Sequence, residues 1–146
     1  MEFLNQFYVP LLHPKMIHFP IALFIGSMGM ELLSLVFEKD RLHRTALDVY
    51  ILATVITPFV VLTGFQEAAH LHLGHPILTI HKNFGLFTMW TSLISLPILW
   101  IINKKSPKIL RAVFLTFLLI IAIFVTITGH NGGRMVYEYG VGTEDR

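Results

Sequence analysis

Apolar residues run through four long stretches of the chain, and short polar clusters break them apart. A bilayer core of about 30 Å needs roughly twenty apolar residues in helix. The pattern predicts such helices over about 15–37, 45–69, 77–102 and 108–129. The clusters "EKDRLHR" (38–44) and "NKKSPK" (103–108) read as charged turns, and "HLHLGHP" (70–76) as a polar turn with Gly74 and Pro76 to end one helix and begin the next. No ten-residue segments of alternating polarity mark a membrane β-barrel. The fold class expected is therefore all-α integral membrane, a bundle of four transmembrane helices forming a single domain over residues 1–146. Pro58 and Pro97 fall inside the second and third helices, where kinks are expected.

Composition supports this. Hydrophobic residues make up 54% of the 146 positions against 14% charged, and the mean hydropathy is +0.67, outside the range of ordinary soluble domains. The formal charge of +2 does not point to nucleic acid, because basic residues in a membrane protein mostly mark cytoplasmic loops. With no cysteine, disulfides, iron–sulfur clusters, thiolate metal sites and covalent haem attachment are excluded. The N-terminal "MEFLNQFYVPLLH" has neither a basic leader nor a small-residue cleavage site and reads as retained. Of the eleven Lys and Arg residues, seven lie in or beside the turns after helices 1 and 3. The positive-inside rule then makes those turns cytoplasmic and both termini extracytoplasmic, in the plasma (inner) membrane.

That orientation sorts the histidines. His13, His18, His70, His72, His75, His81 and His130 all fall at the outer helix ends or in the outer turn, and His43 lies inside. Helix 1 opens with "HPKMIH" and helix 3 with "HPILTIH"; helices 2 and 4 close with "VLTGFQ" and "TITGHN". Aligning His18 with His81 and Gly64 with Gly129 gives offsets of 63 and 65, as expected for a helix hairpin present twice about an axis along the membrane normal. His-Pro and Thr-Gly are also cap chemistry open to any helix end, so both readings stand.

Neutral imidazoles on facing helices of an apolar bundle suit haem iron, the macrocycle being enclosed and two histidines filling the axial positions. His18 and His81, each one turn inside, are the expected ligands, with His70 and His130 as alternates. Gly85, one turn after His81, would let a ring approach the backbone. The rival is a zinc, copper or iron ion held by His18, His81, His13 and Glu67, although no HxxxH or HExxH spacing is present. His72 and His75 read as solvated turn residues, and His130 as lying near a helix C-cap after Gly129. Glu67 could alternatively orient an imidazole. Glu31 and Asp48, deeper in the chain, are expected either to pair with Arg41 or Arg44 or, for Glu31, to serve a proton or quinone site.

"HPKMIHFPIAL", the histidine opening helix 3 and the terminal "GHNGGRMVYEYGVG" together resemble the bacterial membrane-protein family catalogued as domain of unknown function 2231, over essentially the whole chain. The resemblance implies four membrane helices, neighbouring redox proteins and no settled activity. It carries His13, His18, His81, Gly132 and Gly133 as positions of interest. Where the family usually has Val-Tyr-x-His-Gly-Val-Gly, this chain has Tyr139 in place of the histidine. The architecture also resembles four-helix b-type cytochromes, although here nearly all histidines fall at one depth, which suits one layer of cofactor.

The function expected is thus electron transfer by a non-covalent b-type haem near the extracytoplasmic side, exchanging electrons with quinone or a redox partner protein, as a subunit with no substrate turnover of its own. A non-redox membrane subunit or transporter component, with outer histidines that bind metal or sense pH, is the alternative. The lipid bilayer is a partner in both, an oligomer is compatible with both, and nucleic acid with neither.

Overall fold

The four apolar stretches form helices long enough to cross a membrane. A computed structural model describes residues 12–70, 76–103 and 107–141. The first crossing consists of α1 (Leu12–Met16) and, after a break at Ile17, α2 (His18–Val36); α3 (Asp40–His70), α4 (Pro76–Asn103) and α5 (Pro107–Tyr137) supply the others. Among the described residues all regular structure is helical.

The helix ends differ from the expected ones for local reasons. The second crossing starts at Asp40, where an acid in the first turn suits the helix dipole. The turn before it closes as a Schellman motif, with Glu38 left-handed at φ 51° and the Lys39 N–H donating to the Ser34 carbonyl at 3.1 Å. The fourth crossing does not stop near Gly129. It continues to Tyr137, with the Asn131 side chain donating back to the Ile127 carbonyl at 2.8 Å, so His130 lies within the helix instead of at its cap. The chain then turns through Gly140, at φ 64°, and Val141 folds back to donate its N–H to the Met135 carbonyl at 2.8 Å. That places Val141 against Ala68, Ile77, Leu78 and Met135.

Packing is closest within each hairpin, α2 with α3 and α4 with α5; between hairpins α2 meets α5 and α3 meets α4. The buried face is notably polar. Ser27, Ser34, Thr54, Ser92 and Ser95 are fully buried, while Trp90, Trp100, Phe59 and Ile94 are more than half exposed. This suits a bundle in lipid, where large apolar side chains face outward and small residues let helices approach.

The buried residues also define the internal repeat. On α2 they include Pro20, Phe24, Ser27 and Glu31; on α4, Thr88, Ser92, Ser95 and Leu99. On α3 they include Ala46, Tyr50, Ala53, Thr57, Val60 and Glu67; on α5, Phe114, Leu118, Ile121, Val125, Thr128 and Met135. Each of these first-hairpin residues has a buried counterpart 68 positions later, and spacings of three and four alternate, as in a coiled-coil seam. The repeat is therefore present, but at an offset of 68, not 63 or 65.

Candidate functional site

At the end of the bundle remote from the charged turns, the register of 68 joins His13 to His81. The two rings lie 6.0 Å apart between centroids, at 89° to each other. The Nδ1–H of His13 donates to the Val60 carbonyl at 2.9 Å, and that of His81 to the Thr128 carbonyl, also at 2.9 Å. Val60 and Thr128 are themselves 68 residues apart, so each hairpin fixes its histidine in the same way. With Nδ1 serving as donor, Nε2 is the nitrogen left with a lone pair, which is the arrangement by which imidazole ligands are oriented.

The Val60 carbonyl takes a second hydrogen bond from its own helix. Thr63 Oγ1 donates to the Val60 carbonyl at 2.7 Å and lies 3.4 Å from His13 Nδ1. Two glycines, again 68 apart, let the rings lie close against the helices. A Cβ on Gly64 would stand 2.8 Å from Cε1 of His13, and one on Gly132 would stand 3.2 Å from Cε1 of His81. The first distance admits no side chain unless the ring moves.

Both rings border a cavity of about 610 Å³ lined mainly by apolar groups, among them Ile17, Phe24, Leu78 and Val125. That volume falls within the roughly 300–1,000 Å³ usual for small-molecule and cofactor sites. Gly85 and Gly129 line it as well, and a Cβ on either would meet nothing within 4 Å. Four ionisable residues reach the same space: Glu67, buried and interacting electrostatically with His13, and His18, Lys82 and Tyr137. Glu67 corresponds to Met135 in the second hairpin, so the otherwise matched site has an acid on one side only.

The residues expected from sequence thus fall into three groups. His81, His13, Glu67 and Gly85 come together around the cavity, and His18 borders it from an exposed position. It is His13, not His18, that stands opposite His81, because the helix register sets His18 one turn further along and turned outward. His130 is exposed. The side chain of His70, and all of His72 and His75, lie outside the described residues.

The comparison with known families supports the motif reading. A family model described as a predicted membrane protein (DUF2231) matches residues 10–145. The chain belongs to that family. No curated protein and no solved structure matches it. In this DUF2231 protein the end motif has a visible structural use, since Gly140 makes the reversal that returns Val141 to the bundle. Tyr139, at the position where the motif usually has histidine, accepts a hydrogen bond from the Arg134 guanidinium at 3.2 Å. The sequence marks Gly64 through its Thr-Gly pair, whereas the roles of Val60 and Thr128 follow only from the fold. A constant offset of 68 between His13/His81 and Gly64/Gly132 was the available signal.

Proposed function

We propose that this protein is a membrane haem protein that holds a b-type haem between His13 and His81 and passes single electrons to and from a redox partner. The observation that carries the reading is the matched pair of imidazoles, each tied through Nδ1 to a carbonyl of its own hairpin. The two rings stand 6.0 Å apart between centroids, and His13 and His81 would hold a haem iron that supplies one-electron chemistry when bound. Crossed ring planes, an adjoining apolar cavity and glycines that leave its walls open all suit a flat macrocycle.

The number of ligands favours haem over a bare ion. A protein-bound zinc ion usually takes three or four protein ligands, and among the described residues no group of three or more His, Asp or Glu side chains gathers to hold a metal. Haem iron needs only two, the macrocycle supplying the rest. Within such a site the chain's own residues would orient the ligands through Val60 and Thr128, exclude water with the apolar wall, and place the Glu67 carboxylate near one ligand. With the charged turns cytoplasmic, the haem would lie toward the extracytoplasmic side, where quinone or a redox protein could reach it.

The reduced-minus-oxidised visible spectrum of detergent-purified protein tests this. The wild type is expected to show a b-type α band, lost in His13→Ala and in His81→Ala and retained in His18→Ala. Absence of a Soret band from protein made in haem-replete cells would refute the haem reading. Retention of the α band in both single variants would refute the ligand assignment.

A further inference from the structure

Toward the charged turns the two hairpins differ where their register says they should match. Glu31 is fully buried, and its counterpart 68 residues on is the buried Leu99. His43 corresponds to Arg111, whose guanidinium instead pairs with Asp40 at 2.7 Å. Only the first hairpin therefore joins an acid to an imidazole, with Glu31 Oε2 lying 2.6 Å from His43 Nδ1. The second carboxylate oxygen, Oε1, is buried without a hydrogen-bond partner.

The second hairpin serves as an internal control. Leu99 fills the equivalent place in the same seam, so packing alone does not require a carboxylate at Glu31. An unsatisfied polar atom in a membrane interior is costly, and a pair kept only for structure would be expected to satisfy both oxygens. Ionisable groups at such depth commonly serve proton or ion movement.

We propose that Glu31 and His43 form a proton-binding site that exchanges with water at the charged-turn end of the bundle. With a neutral imidazole and an ionised carboxylate, the Nδ1–H of His43 donates to Oε2 and the pair carries one negative charge. One more proton, taken up at Oε1 of Glu31, the oxygen without a partner, neutralises the pair without breaking that hydrogen bond. The His43 side chain is 10% exposed and that of Glu31 is not exposed at all, so the imidazole is the route between water and the acid.

The surroundings leave this pair as the exchangeable group. From α5, Phe114 presents its ring to His43 at 6.0 Å between centroids, and Arg111, one turn away, is matched by Asp40 of α3. The α4 helix places uncharged Leu99 at this level. Tyr50, two turns along α3 from His43, is bonded to Ser95 at 2.7 Å. Lys39, Arg41 and Arg44 are exposed. The separation of 18 positions between His13 and Glu31 corresponds to roughly 27 Å of helix, so the site stands apart from the histidine pair and does not rest on the haem reading.

Infrared difference spectra of the detergent-purified full-length protein, recorded as pH is stepped, test the assignment. A carboxylic-acid C=O band should titrate in the wild type, disappear in Glu31→Gln, and move by about one pH unit or more in His43→Gln. It should persist unchanged in a His13→Ala, His81→Ala double variant, which keeps this result separate from the fate of the haem. Glu31→Leu, which copies the second hairpin, should retain helix content and thermal midpoint. The proposal is overturned if no such band titrates, if the band survives in Glu31→Gln or stays in place in His43→Gln, or if Glu31→Leu prevents folding and so shows the acid to be structural. Should Glu31→Gln not fold, the His43→Gln shift alone decides the matter.

Discussion

Gly64 has no room for a side chain because the His13 ring lies against it. A Cβ there would come within 2.8 Å of the ring, so Gly64→Ala must displace the imidazole from the Val60 carbonyl. Losses of ligand-orienting contacts typically cost 10–100-fold in metal affinity, and a fall of about that size in haem affinity is expected for Gly64→Ala by titration of the apoprotein. Gly132→Ala, with 3.2 Å to His81, should show the same effect more weakly; equal or reversed sensitivities would contradict the geometry. Glu67 acts on the same pair through charge. If the proposed haem is held there, a carboxylate at Glu67 would favour ferric over ferrous iron, so the midpoint potential should rise by tens of millivolts in Glu67→Gln, ~59 mV being tenfold for one electron. A redox titration in which Glu67→Gln lowers the midpoint would place that carboxylate elsewhere than beside the haem.

On the scale of whole helices, the small polar residues of the seam pack among buried Phe24, Phe114, Leu118 and Ile121, while exposed residues such as Trp90 and Trp100 meet lipid. Ser92 is fully buried, so Ser92→Leu should overpack the seam and cost about 1–3 kcal/mol, read from thermal unfolding in detergent. Trp90→Leu, at a position 55% exposed, should change stability little. Tyr50→Phe breaks the buried bond to Ser95 at 2.7 Å, and interhelical hydrogen bonds in membranes average about 0.6 kcal/mol. Ser95 keeps its bond to the Ser92 carbonyl, which is why the expected loss stays small. The same mixed seam explains what could be read from sequence. Hydropathy located all four crossings because it depends on length and apolar content. It could not show which face was buried, since buried Ser and Thr alternate with buried Phe, Leu, Ile and Val at spacings of three and four inside uniformly apolar helices. The repeat was visible but misaligned, because His-Pro pairs and Thr-Gly pairs drew the eye to His18 and Gly129 where packing joins His13 to His81 and Gly64 to Gly132. Of the two readings of Glu31, pairing with Arg41 or Arg44 does not form, since both arginines are exposed and the close partner is His43. "HNGG" reads as a helix end, yet it lies within the last helix, where Gly132 lets the His81 ring approach.

For the molecule as a whole, the two-fold repeat in one sense across the membrane puts both charged turns at one end and the histidine pair at the other. The Arg111–Asp40 ion pair at 2.7 Å ties the hairpins together at the charged end. At the opposite end the tie is the apolar cluster of Ala68, Ile77, Leu78 and Met135. Which end faces the cytoplasm is then set by Lys and Arg near the helix ends, and Lys39, Arg41, Arg44 and Arg111 are among those gathered at the charged end. Because the chain has no cysteine, this orientation can be tested with single introduced thiols. Arg41, exposed at the charged end, and Tyr137, 91% exposed at the histidine end, are suitable sites. In intact cells a membrane-impermeant maleimide should label Tyr137→Cys and spare Arg41→Cys, and permeabilisation should make both reactive. The reverse pattern would put the histidine pair on the cytoplasmic side and would move any electron partner there with it, while leaving the geometry of the pair untouched. Orientation and ligand chemistry are thus separable properties of this bundle: lysine and arginine placement sets the first, and the register of 68 that pairs His13 with His81 sets the second.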